Sequence, residues 1–175
     1  MSNSKFNISI LKEIQSKDKA KVKKAFEKLY KNGNVSIIQS LIDIYCEQDN
    51  FAKSEIKKVL SQLKISKALP ILINNLESAN NEIKELILHS IWSSNLDAEE
   101  NISLIVKTAI EGNFTVAFEA LTLIENLEAI NNESVIIESM ILINEYLTEK
   151  EDEKSDLIKS MLDVLQHFEA QLQLN

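Results

Sequence analysis

Through nearly the whole of this 175-residue chain, apolar residues recur three and four positions apart, the spacing that lines one face of an α-helix. Asp18 to Lys31 shows it most clearly: Val22, Ala25, Phe26 and Leu29 form one face, while Lys21, Lys24, Lys28 and Lys31 lie along the other. Gly33 stops that helix. A partner helix begins at Asn34, with Ile37, Ile38, Leu41, Ile42 and Tyr45 inward and Ser36, Gln39, Ser40, Asp43 and Glu47 outward, so the two make a helical hairpin. The chain holds only two glycines and one proline, too few for the tight turns of sheets, barrels or sandwiches, and helix is the element left. Aromatic residues are 6% of the total, so the core must be aliphatic.

The hairpin repeats. Lys53–Lys64 carries Ile56, Val59, Leu60 and Leu63 at the offsets of the first helix, and a second helix starts near Lys67. A third pair runs from Asn81 to Ser93 and from Glu99 to Ile110, and a fourth from Asn113 to Leu127 and from Glu133 to Leu147. Taking Val22, Ile56, Ile83, Val116 and Leu157 as equivalent gives separations of 34, 27, 33 and 41 residues, irregular but within the range of helical repeats. The expected organisation is one domain over 1–175. Residues 1–17 form an N-terminal segment or cap, helical over Phe6–Ile14 with its first few residues disordered. Residues 18–148 form about four hairpins, 149–155 an acidic connector, and 156–172 a C-terminal capping helix.

The stretch Ala68-Leu69-Pro70-Ile71-Leu72-Ile73-Asn74-Asn75-Leu76, followed by Asn80-Asn81-Glu82-Ile83-Lys84-Glu85-Leu86-Ile87-Leu88, resembles the HEAT repeat pattern. That pattern opens one helix with Ala-Leu-Pro and leads through a short polar turn into Val-Arg-x-x-Ala on the next. Asp18–Leu29 is a second, weaker match, and the resemblance covers residues 18–148. It implies an all-α fold, an α-α superhelix or solenoid of about four to five hairpins of the HEAT/armadillo-like kind. The family's aspartate–arginine ladder has no counterpart, because the chain contains no arginine, and Lys23 and Lys84 occupy the matching places.

Little in the sequence supports chemistry. There is no Gly-rich phosphate loop, no cysteine pair and no His-Glu-x-x-His, so no catalytic, cofactor-binding or metal residue is assigned and no cofactor is expected. His89 reads as a boundary residue beside Trp92, and His167 as a polar residue of the last helix. Trp92, the single tryptophan, reads as filling a gap between layers. Cys46, beside Tyr45, is expected on a buried face. The run Glu149–Lys154 reads as a solvated connector. The longest apolar runs, such as Ala68–Ile73, are far shorter than the roughly 20 residues of a membrane span. With no leader pattern, the expectation is a cytoplasmic protein. The sequons at Asn7, Asn34, Asn101, Asn113 and Asn132 are then read mostly as helix caps.

Charge is divided unevenly. Residues 1–67 hold 14 lysines and 7 acids, a net of +7, while residues 68–175 hold 5 lysines and 20 acids, a net of −15. In a linear stack, sequence order becomes spatial order, so one end is expected to be basic and the other acidic. Lys21, Lys24, Lys28 and Lys31 make one stripe, and Lys53, Lys57 and Lys64 a comparable one. Gln39, Asp43, Asn74, Ser103 and Lys107 fall on outward stripes of the second helices, the row that stacked repeats present on a concave side.

These features point to a non-enzymatic scaffold or adaptor that holds a protein partner through a concave face, through charged ends, or through both. The nine candidate contact residues are Gln39, Asp43, Asn74, Ser103, Lys107, Lys21, Lys24, Lys28 and Lys53. The alternative is an acidic immunity-type protein that neutralises a basic toxin. A nucleic-acid-binding or repair module is less favoured, since there is no arginine for bidentate phosphate contacts. A homo-oligomer formed head to tail is a further option.

Overall fold

The computed structural model describes residues 3–63, 65–77 and 79–174, so Met1, Ser2 and Lys64 of the readings above lie outside the described residues. Among the described residues there are ten α-helices and no strand, and the fold is all-α. The helices are α1 (Asn3–Ile14), α2 (Lys19–Asn32), α3 (Ile38–Tyr45), α4 (Asn50–Leu60), α5 (Leu69–Ile73), α6 (Asn81–Ser93), α7 (Ile102–Glu111), α8 (Phe114–Glu125), α9 (Glu133–Glu149) and α10 (Ser155–Leu174). Single 3₁₀ turns at Val35–Ile37, Ser66–Ala68 and Glu99–Asn101 lead into α3, α5 and α7.

Side-chain caps set where the helices start. Asp18, Asp49, Asn80 and Asn113 each precede a helix, and their side chains accept from Ala20, Ala52, Ile83 and Val116 backbone N–H groups at 2.9–3.0 Å. Each bond satisfies a donor that the first helical turn cannot pair internally. These caps stand 31, 31 and 33 residues apart, a more regular period than the apolar positions suggested. Counted from the caps, Ala25, Ile56, Ile87 and Ala120 are equivalent and fully buried, as Leu29, Leu60, Ile91 and Ile124 nearly are. The equivalence of Val22 with Ile56 is thus corrected by one helical step. Apolar spacing repeats within every helix, so a shift of one turn fits almost as well until the cap fixes the register.

Gly33 ends α2 in extended backbone, φ −63° and ψ 152°, so its role there is space. A Cβ would lie 2.6 Å from the Leu29 carbonyl oxygen. The left-handed helix end falls at Asn95 instead, with φ 50°. Its N–H reaches the Trp92 carbonyl and that of Leu96 reaches Ile91, both at 3.1 Å, the two reciprocal bonds of a Schellman end.

Alternate helices pack in succession: α2 on α4, α4 on α6, α6 on α8 and α8 on α10. Opposite them, α3 meets α5 and α7 meets α9, while α1 lies on α2 and on the turn before α3. The closer contacts between sequential helices join α1 with α2, α3 with α4, α5 with α6, α7 with α8 and α9 with α10. One hydrophobic core, running from Ile10 to Phe168, draws on all ten helices.

Candidate interaction surface

Two rows of polar side chains cross helix boundaries. On the row of α3, α5, α7 and α9, Gln39 and Asn75 exchange amide hydrogen bonds, each Nδ2 or Nε2 group donating to the other's oxygen at 2.9 and 3.0 Å. Gln39 also donates to Asp43 at 2.8 Å, and Asn75 donates to the Ile71 carbonyl at 2.7 Å. Further along, the Ser103 hydroxyl donates to Glu138 at 2.9 Å, joining α7 to α9. Lys107 of α7 and Asn74, just past the end of α5, are exposed nearby in the chain. Sequence reading identified one member of each inter-helix bond. Asn75 and Glu138 are 36 and 35 residues from their partners, a separation that only packing closes.

The other row is laced by ion pairs. Lys53 meets Glu82 at 2.7 Å, and Lys57 lies between Glu85 at 3.8 Å and Glu119 at 3.9 Å. Lys84, buried in the core-facing side of α6, faces Glu111 at 3.7 Å. On α2, Lys21 and Lys24 are exposed, and Lys28 is matched by Glu13 of α1 at 2.8 Å. The Lys53 contact holds the Glu82 carboxyl below its ordinary range.

Glu119 of α8 is the most enclosed carboxylate of this row, its side chain 10% exposed. The Trp92 indole N–H donates to it at 2.7 Å, and His89 Nδ1 lies 3.3 Å from the same oxygen. A carboxylate can only accept, so this contact selects the Nδ1–H form of the ring. His89 and Trp92 also stack edge to face, with centroids 4.8 Å apart at 77°. Burial works against ionisation of Glu119, but the bonds from His89 and Trp92, with Lys57 nearby, outweigh it and hold the carboxyl below its ordinary range. Sequence reading placed His89 beside Trp92 but had no carboxylate for them. The only local signal for Glu119 is a single acid inside the apolar stretch Phe118–Ile124 and its neighbours.

The connector after α9 is more than a solvated loop. Glu151, Asp152 and Glu153 are exposed, but Lys154 is buried and its ammonium donates to the carbonyl oxygens of Ala109 at 3.0 Å, Ile110 and Gly112. A cation thus caps the C-terminus of α7, where carbonyls lack helical partners. Burial pushes the Lys154 pKa down. The Tyr146 hydroxyl donates to Asp152 at 2.7 Å, and burial together with that bond raises its pKa to about 12.

Cys46 is exposed, which corrects the expected burial: α3 ends at Tyr45, which takes the inward place, and Cys46 begins the turn. His167 is exposed and lies 2.9 Å from Gln171. The Asn34, Asn113 and Asn132 side chains do act as caps, while Asn7 is buried and bonds to Ser36 and Asn34. A cleft of about 550 Å³ lies between the α6–α7 and α8–α9 turns, lined by Trp92, Leu96, Leu123, Asp97 and Glu128 among others.

Among the described residues, no three His, Cys, Asp or Glu side chains group to hold a metal ion, and no helix is long and apolar enough to cross a membrane. No protein-family model, curated protein or solved structure matches the chain.

Proposed function

We propose that the chain is an α-α superhelix of the HEAT/armadillo-like kind and serves as a non-enzymatic scaffold that holds a protein partner. The observation that carries this reading is a pair of side-chain links on the side of α3, α5, α7 and α9: Gln39 of α3 with Asn75 just past α5, and Ser103 of α7 with Glu138 of α9, beside the exposed Asp43 and Lys107. Such a face is wide, polar and pre-ordered, so ordering it on binding costs little. The succession of alternate helices and the near-constant spacing of their caps support the superhelical part of the reading. A cytoplasmic location and the absence of a cofactor go with it.

The test is affinity capture from the native cell after crosslinking, with wild type beside Gln39→Ala/Asp43→Ala/Lys107→Ala. A reproducible protein partner, lost with the triple variant, is the expected result. Nothing reproducible with wild type would count against the scaffold.

A second reading, neutralisation of a basic toxin, draws on one observation, the net charge of −15 over residues 68–175. A basic toxin encoded beside this chain, and inhibited by it in a purified assay, would favour it over the scaffold. The nucleic-acid reading gains nothing from Lys53, Lys57 and Lys84, whose ammoniums sit against carboxylates.

A further inference from the structure

Helix α9 carries an apolar strip that no other part of the described chain covers. Ile136, Ser139, Ile143 and Tyr146 point into the fold, whereas Ile137 and Ile141 are 42% and 52% exposed. Together with Ser134, Glu138, Leu142 and Glu145 they line a shallow groove of about 440 Å³. These positions recur at three- and four-residue spacing over twelve residues, Ser134 to Glu145, so the strip is straight and about 16 Å long at the rise of an α-helix. Glu138 turns toward α7 through its bond from Ser103, and Ile137 lies about 100° further round the helix.

The rim identifies the occupant. Glu133, Glu138, Glu145 and Glu149 are all exposed on α9, and the helix contains no lysine or arginine. A partner that covers the two isoleucines must therefore bring aliphatic residues flanked by cations. A straight strip with this spacing is matched by a second helix, which can set its own three- and four-spaced residues into it. The chain's own α1 fits less well, because it exposes one large apolar residue, Ile8, where the strip on α9 presents two.

We infer that the exposed face of α9 docks a basic amphipathic helix of a partner protein, with Ile137 and Ile141 as the apolar anchors and Glu138 and Glu145 as the charge complement. This rests on the scaffold reading and names one surface and one partner chemistry for it. Carboxylates at the rim raise the association rate and select against acidic helices, while the two isoleucines, once covered by the partner, govern dissociation.

The probe is a dye-labelled synthetic helix of about 18 residues, leucines at helical spacing flanked by lysines, read by fluorescence anisotropy. Beside it stand a scrambled peptide of the same composition and a peptide with glutamates for the lysines. The structure calls for binding of the amphipathic basic peptide alone. Ile137→Ser/Ile141→Ser should weaken it about tenfold or more, and Glu138→Gln/Glu145→Gln severalfold with a shallower salt dependence. Both pairs are exposed, and circular dichroism melts of the variants serve as the check on folding. Equal binding of the scrambled peptide, or binding to the isoleucine variant within about twofold, overturns the inference. So does a wild-type dimer in sedimentation that the isoleucine variant dissociates, since the occupant is then a second copy. Cellular capture separates the two readings: a partner lost with the triple variant of the α3–α7 face but kept with Ile137→Ser/Ile141→Ser leaves the scaffold standing and removes α9 as its docking site.

Discussion

Replacing Glu119 by alanine tests whether its contacts hold α6 against α8. The substitution removes the acceptor of the Trp92 indole N–H, bonded at 2.7 Å, and the group facing His89 Nδ1 at 3.3 Å. Each donor left without a partner in a part-buried place costs about 1–3 kcal/mol, and His89 is open enough to recover some of that from water. The expected loss is therefore about 2–4 kcal/mol, measured by urea denaturation with Trp92 fluorescence as the probe. Trp92 is the single tryptophan, so the signal reports the residue whose bond is removed. Glu119→Gln keeps the shape and one acceptor and should lose about half as much. The pH dependence follows from the direction of the carboxyl's shift. Because folding holds its pKa below the ordinary range, the native state favours the ionised form, and this stability is present above that range and disappears as pH falls through the depressed value. Wild type should thus weaken more steeply than Glu119→Gln between roughly pH 5 and pH 3. A change within about 0.5 kcal/mol for Glu119→Ala, or parallel acid profiles for wild type and Glu119→Gln, would refute the structural role.

Two further perturbations probe the neighbouring turns. Lys154→Met keeps most of the buried stem but removes the ammonium from the carbonyls of Ala109, Ile110 and Gly112, and should cost about 1.5–3 kcal/mol in a chemical melt; a neutral result would mean that water caps α7 equally well. Gly112→Ala places a Cβ 2.5 Å from Cγ1 and 2.7 Å from Cβ of Val116, which is fully buried and cannot move aside, so a loss of about 1–3 kcal/mol is expected, and an unchanged melting temperature would show that α8 shifts freely.

Much of the helix layout was legible from one signal, the three- and four-residue recurrence of apolar residues. The spacing of apolar residues placed α6 at Asn81–Ser93, the range it occupies, and placed α9 and α10 to within two residues. The register was not legible from those positions: it is fixed by the caps of α2, α4, α6 and α8, Asp18, Asp49, Asn80 and Asn113, because a cap occurs once per helix and an apolar face repeats every turn. What remained hidden was whatever depended on packing between helices distant in sequence. The inward direction of Glu119 and the burial of Lys84 could be suspected only from single charges inside apolar stretches. Nothing local distinguishes Lys154 from Lys150, yet the first is buried against α7 and the second is exposed. The difference arises because the connector folds back over a helix end 45 residues earlier.

The division of charge along the chain takes a different meaning once the pairs are placed. Lys53 with Glu82, Lys57 with Glu85 and Glu119, and Lys84 with Glu111 all join a lysine to an acid later in the chain. The Lys53 and Lys57 pairs join the basic half to the acidic one across α4, α6 and α8, while α2 keeps Lys21 and Lys24 exposed at one end and α9 keeps four exposed glutamates toward the other. The more open of these pairs, such as Lys53 with Glu82, contribute only about 0–1 kcal/mol each, so stability alone gives little reason for the gradient. A field that is neutralised in the middle and left open at the ends acts on molecules that approach, favouring one orientation of a charged partner before contact. Moderate salt should therefore change the rate at which a basic helix reaches α9 far more than it changes the midpoint of unfolding.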